Sequence, residues 1–194
     1  MTNLVTVLLT VAAIAAGLMM LLSNNWRWTL SGLAIQYLVA FLMVAQIWPI
    51  GLAAIKLVAG WMAGVLLSLS NISTALEKNG KETRSVVVFR GLAALLLLII
   101  MFSVAPTVNI WIPISYSYLL IGLIMISMGL LHFGISQQPL RVILGLLTLL
   151  IGFEVIYSAL EGSALLAAIL AAITIALGLL GSYFYALAAE EGEL

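Results

Sequence analysis

The chain has 194 residues, of which 65% are hydrophobic and 7% charged, against roughly 25% charged in an average soluble domain. Seven Lys and Arg balance seven Asp and Glu, with one histidine and no cysteine. This composition excludes a soluble fold and a basic face for nucleic acid. It also excludes disulfides, Cys-ligated zinc, iron–sulfur clusters and a His-rich metal site. It is that of an all-α, polytopic membrane protein.

A membrane helix needs about 20 mostly apolar residues, and the spans follow in chain order. Leu4 to Leu22 is the first, ended by Ser23, Asn24 and Asn25. Met1-Thr2-Asn3 offers no positive n-region and the apolar run is long for an h-region, so this helix is expected to be retained rather than cleaved as a signal peptide. Trp28 to Ser70 carries one charge, Lys56, and is long enough for two helices, with Pro49 at the expected break. Ser85 to Ala105 is the fourth span, closed by Pro106; Ser115 to Gly134 the fifth, after Pro113; Leu140 to Leu160 the sixth, after Pro139; and Gly162 to about Leu187 the seventh. All four prolines are thus expected at breaks, none in mid-span, where each would cost a backbone hydrogen bond.

Arg27, Lys78, Lys81, Arg84 and Arg141 all fall in connections on one side, while those around Pro49, Pro106 to Pro113 and Glu161 carry no cation. The cationic side is expected to be cytoplasmic, which puts the N-terminus outside and the tail Glu190, Glu191, Glu193 inside. Trp26, Trp28, Trp48 and Trp111 fall at span boundaries, where interfacial anchors sit. Connections this short hold no soluble catalytic domain. Gly17 to Arg27 and Gly129 to Arg141, each followed by an apolar span, suggest parallel three-helix repeats separated by helix four. The organisation expected is a three-helix unit over 1–70, a loop and spacer helix over 71–114, and a second three-helix unit with an acidic tail over 115–194.

Ionisable residues within spans are costly and are functional candidates by default. Glu154 lies near the middle of helix six, about 20 Å of rise from Arg141, and is either a protonatable relay group or a neutral acid bonded to a neighbouring helix. Lys56 lies about two turns into helix three and either serves a relay, as proton carrier or carboxylate partner, or snorkels to the interface. His132 near the cytoplasmic end of helix five reads more simply as a neutral histidine bonded to a helix turn. Arg90, close to Arg84, is expected to snorkel. Gln36, Gln46 and Thr174 are uncharged polar groups that either line a hydrated path or join helices. Gly122, Gly145, Gly178 and Gly181 suit close helix packing. No phosphate-binding loop, haem-ligating histidine pair or nucleophile–base set is present. No cofactor, metal site or catalytic site of the chain's own is expected.

The last three helices resemble subunit K of respiratory complex I and the C subunit of multisubunit cation/proton antiporters. The resemblance rests on a short arginine-bearing loop, the stretch Leu150 to Ala159 around Glu154, and a final helix rich in small residues from Ala167 through Thr174 to Gly178. The whole chain resembles the E membrane subunit of hydrogenase-4 and formate-hydrogenlyase-type complexes, including Ser136-Gln137, Leu140-Arg141 and a helix-three lysine placed like Lys56. The resemblance implies a non-catalytic core subunit of an ion-translocating complex in a prokaryotic cell membrane. Its partners would be other integral membrane subunits of antiporter type. Glu154 would lie in a central polar axis, with Lys56 as a second relay group and Gln36, His132 and Thr174 along a polar path. The family's second membrane acid has no acidic counterpart here; Thr174 is the nearest polar residue in the last helix. A purely structural membrane subunit and a free-standing transporter are the alternative readings.

Overall fold

The computed structural model describes residues 2–74, 84–136 and 138–190. Lys78, Lys81, Gln137 and residues 191–194 of the acidic tail lie outside them. The described residues form seven α-helices and no strand: α1 (Thr2–Leu22), α2 (Trp26–Val44), α3 (Ile50–Thr74), α4 (Arg84–Trp111), α5 (Tyr116–Ile135), α6 (Pro139–Leu160) and α7 (Ala164–Glu190). Each contains a span of 19 to 28 residues apolar enough to cross a membrane, or about 28–42 Å of rise. This is an integral, multi-pass membrane fold, with its spans where the apolar runs place them.

The helix starts follow from local chemistry. The Asn25 side chain accepts a hydrogen bond from the Arg27 amide at 3.1 Å and caps α2, satisfying a donor the helix leaves without a partner. Pro139 stands at the first turn of α6, where its missing N–H costs nothing. Pro49 precedes α3, its carbonyl accepting from the Leu52 amide at 2.9 Å.

Pro106 departs from expectation: it lies inside α4, which runs on to Trp111. The ring removes one ladder bond, but helical bonding resumes, with the Ile112 amide reaching the Val108 carbonyl at 3.1 Å. Only the last turns of the helix follow the proline, and its ring points outward. Trp28 and Trp111 are exposed at helix ends, as anchors should be. Trp48 is not: its side chain is buried inside the bundle.

Lipid is as apolar as a leucine side chain, so helices associate in a membrane by close packing and polar contact. Helices α5 and α6 run antiparallel with glycines facing each other: a Cβ on Gly129 would stand 2.6 Å from the Gly145 carbonyl, and one on Gly152 2.6 Å from the Gly122 carbonyl. Helices α3 and α7 run parallel, with Gly178 against Ala63 and Gly181 against Leu67 and Ile143. The α1–α2–α3 run packs in chain order, as does α5–α6–α7, and α1 meets α5, α2 meets α6 and α3 meets α7. Helix α4 lies at the edge, against α5 and α1.

Gly145 meets backbone rather than side chain: a Cβ there would stand 2.8 Å from both the Gly129 carbonyl oxygen and the Phe133 amide nitrogen. Gly145→Val should therefore cost about 1–3 kcal/mol through overpacking, read as a lower unfolding midpoint in detergent. Gly64→Ala, which meets nothing within 4 Å, should be neutral or slightly stabilising by about 0.5–1 kcal/mol.

Candidate functional site

The bundle interior is apolar apart from a small set of polar side chains, and its centre is an ion pair. Lys56 of α3 points inward, with Nζ 3.7 Å from Oε2 of Glu154 on α6, and the two side chains are 2% and 3% exposed. Lys56 therefore does not snorkel. At 3.7 Å the contact is electrostatic and longer than a hydrogen bond. Lys56 Nζ and Glu154 Oε1 have no hydrogen-bond partner.

Each residue of the pair lies six positions from a helix end: Lys56 after Ile50, Glu154 before Leu160. That places the pair about 9 Å inside the cation-free end of the bundle.

Trp48, in the α2–α3 turn, covers the pair on that side. Its ring centroid is 5.1 Å from Lys56 Nζ, within range of a cation–π contact. Its indole N–H donates to the Ser158 carbonyl at 3.0 Å. That carbonyl belongs to the last turn of α6, where the helix offers no amide. Outside Trp48 a cleft of about 260 Å³ opens between the α2–α3 and α6–α7 turns, with Leu52, Ser158, Glu161 and Gly162 among its walls.

Deeper in the bundle, Tyr37 of α2 lies within interaction range of both Glu154 and the Thr174 hydroxyl of α7. Its ring occupies the space where Gly60 lacks a side chain, and any Cβ there would overlap it. The Thr174 hydroxyl donates to the Leu170 carbonyl at 3.0 Å. One residue before Tyr37, Gln36 is fully buried, and its Oε1 is 3.0 Å from the Thr148 hydroxyl of α6. The same hydroxyl is 2.8 Å from the Leu144 carbonyl, and its one proton serves one of the two at a time. The Gln36 amide nitrogen, without a partner, sits where Gly17 leaves room.

Glu154, Lys56, Tyr37, Gln36, Thr174 and Thr148 thus lie six to twelve positions in from the cation-free ends of their helices. Lys56, expected as a second relay group, and two of the three expected path residues, Thr174 and Gln36, join Glu154 in this set. Gln46 does not: it is exposed and bonds the Leu42 carbonyl of its own helix at 3.0 Å.

His132 stands apart. It is buried at the opposite end of the bundle, beside Arg90, Arg141, Leu21 and Ser136, with no partner for Nε2. Arg90 is buried there rather than snorkelling. Arg141 reaches across to the α1–α2 connection, donating from Nη2 to the Ser23 carbonyl at 3.3 Å and to Asn24 Oδ1 at 3.2 Å. Between this cluster and Thr148 the core carries Met20 and Met128.

Tyr37, Thr148 and Trp48 carry no sequence signal that marks them as site residues. Tyrosine, threonine and tryptophan are common in membrane helices, and only their place in the packing distinguishes these three. Among the described residues no group of three His, Asp or Glu side chains converges as a metal site would require. No protein-family model, curated protein or solved structure matches the chain.

Removing one member of a buried pair leaves the other uncompensated, which costs about 3 kcal/mol or more, whereas removing both costs much less. Lys56→Met should lower the detergent unfolding midpoint more than the double substitution Lys56→Met with Glu154→Gln. A purely additive double variant would mean that the pair carries no coupling energy.

Proposed function

We propose that this chain is a core subunit of a multisubunit ion-translocating membrane complex, and that Lys56 and Glu154 form a charge relay within it. The observation that carries this reading is the ion pair itself: two ionisable groups buried in a membrane bundle, 3.7 Å apart, with Oε1 and Nζ open to a further partner. Such residues are expensive to insert and typically mark ion or proton paths. A proton moving from the ammonium to the carboxylate turns a charged pair into a neutral one. A charge arriving nearby shifts that balance, so the pair is a two-state element that converts a neighbouring charge into proton uptake or release.

The neutral polar groups behind the pair suit the same role. A half-turn of the Gln36 amide lets Nε2 donate to Thr148 Oγ1 while that hydroxyl keeps the Leu144 carbonyl, so this contact persists in either amide orientation. The resemblance of the last three helices to subunit K of complex I and the antiporter C subunit, and of the whole chain to the hydrogenase-4 E subunit, supports assembly with antiporter-like membrane subunits. The chain contributes no catalytic centre and acts through partners. The clustering of Arg27, Arg84, Arg90 and Arg141 at one end supports a cytoplasmic placement for that end in a prokaryotic cell membrane, with the N-terminus outside.

In sealed native-membrane vesicles, Glu154→Gln should leave the complex assembled and reduce proton or sodium movement to the background of vesicles lacking the chain. Glu154→Asp should keep part of it. Ion movement equal to wild type in Glu154→Gln would leave a purely structural subunit. Gentle-detergent purification of the tagged chain should bring large integral membrane subunits with it; a chain that purifies alone and transports alone would be a free-standing transporter instead.

A further inference from the structure

The cleft at the cation-free end leads toward the buried pair, and one side chain closes it. Trp48 and Ser158 belong both to the cleft wall and to the hydrogen bond that seals its floor. The inner face of the same indole is the one 5.1 Å from Lys56 Nζ. In the other direction the pair is backed by Tyr37, the Gln36–Thr148 contact and the Met20 and Met128 side chains. The two sides of the pair are therefore unequal: one aromatic layer separates it from a water-sized opening, and more than half the bundle separates it from the opposite end.

We propose that this cleft is the aqueous access to the Lys56–Glu154 pair, with Trp48 as the gate. The proposal rests on the relay reading of the pair and adds the side of the membrane from which the pair is served.

The chemistry of the gate is specific. The Ser158 carbonyl is one of the last acceptors of α6, and water replaces the indole N–H there at little cost. The ring's contact with Lys56 is favourable while the lysine is an ammonium and weakens when it is neutral. The gate is thus held shut by the charged pair and loosened by its neutralisation. With the pair neutral and the indole swung out, a hydronium in the cleft gives its proton to the Lys56 amine, restoring the ammonium under the ring, and is left as water. Pro49 directly follows Trp48, so the turn pivots beside a residue of fixed φ. Glu161, exposed at the cleft rim and accepting from the Tyr157 hydroxyl at 3.2 Å, puts negative charge where an arriving cation first meets the protein.

The chain has no cysteine, so a single introduced thiol reports access directly. Ala53 is fully buried one turn before Lys56 and packs in the same cluster as Trp48, and Leu52 lines the cleft outside the gate. In the full chain in sealed native-membrane vesicles, a charged methanethiosulfonate reagent is added to one side at a time. Ala53→Cys should react slowly with Trp48 in place. It should react about tenfold faster or more in Trp48→Ala, through local opening, and only from the side of the Pro49 turn. Trp48→Phe, which keeps a ring but loses the N–H, should fall between.

Leu52→Cys should react at the same rate in all three backgrounds, which shows that the bundle is intact. Equal Ala53→Cys rates with and without Trp48, or acceleration from both sides alike, would overturn the gate. This readout does not depend on ion movement. If Glu154→Gln moves ions normally while Trp48→Ala opens the site, the relay reading fails and the access route stands. If Glu154→Gln is inactive while access is unchanged, the relay stands and the gate fails.

Discussion

The attraction between Lys56 and Glu154 is the interaction on which the interior of this bundle depends. Either residue alone would be a charge in hydrocarbon, a cost of a few kcal/mol on insertion scales and more in some estimates. Together, at 3.7 Å, they offset much of that cost, but only if α3 and α6 bring them to the same depth. Their equal distance from the cation-free ends of their helices meets that condition. The aromatic groups near the pair suit it as well: an indole face toward the ammonium and a tyrosine near the carboxylate. The pair is therefore a constraint on register as much as a chemical site.

The glycines supply the other half of the geometry. Glycine faces glycine twice along the α5–α6 contact, a heptad apart on each helix, so the two backbones approach as closely as a methyl group would forbid. This fixes how far α6 is slid along α5, and with it the depth of Glu154. Gly178 against Ala63 does the same for α7 along α3, and so for the depth of Lys56 relative to Thr174. Gly60 acts differently, by letting the Tyr37 ring lie flat against α3, which holds the phenol near the pair. In a medium where apolar contact between helices gains nothing over contact with lipid, these close approaches position the charges.

The spans were legible because length and charge exclusion are properties of single segments. A run of about twenty apolar residues is long enough to cross a membrane whatever it packs against, and all seven helices formed at the expected runs, α4 alone continuing past its proline to Trp111. The two costly residues, Lys56 and Glu154, were legible for the same reason. Their contact was not, because it depends on the relative slide of α3 and α6, which no local pattern encodes. Trp48 shows the limit most clearly. A tryptophan next to a turn proline has the signature of an interfacial anchor, and its inward orientation arises from the Ser158 carbonyl, 110 residues away in sequence. Arg90 differs from expectation for a similar reason: proximity to Arg84 suggests the interface, but packing of α4 on α1 and α5 turns it in toward His132. Pro106 departs because proline inside a helix costs one backbone bond rather than the helix, and here only the final turns of α4 follow it.

The two ends of the bundle differ in chemistry, and the difference bears on direction. At one end arginines gather, two of them buried, with Arg141 tying α6 to the α1–α2 connection; a cation approaching there meets like charge. At the other end no cation stands in the α2–α3 or α6–α7 turn, Glu161 is exposed at the rim, and the cleft narrows onto an aromatic ring. Between the pair and the arginine end the polar groups are neutral, and they give way to methionine before His132 is reached. Under the relay reading, a proton admitted at the cleft end reaches the pair readily and has no continuous polar route onward through this chain alone. The onward step then falls to a group outside the chain. On that reading the chain supplies one half-path and needs a neighbour for the other, which favours the proposed assembly over a free-standing transporter.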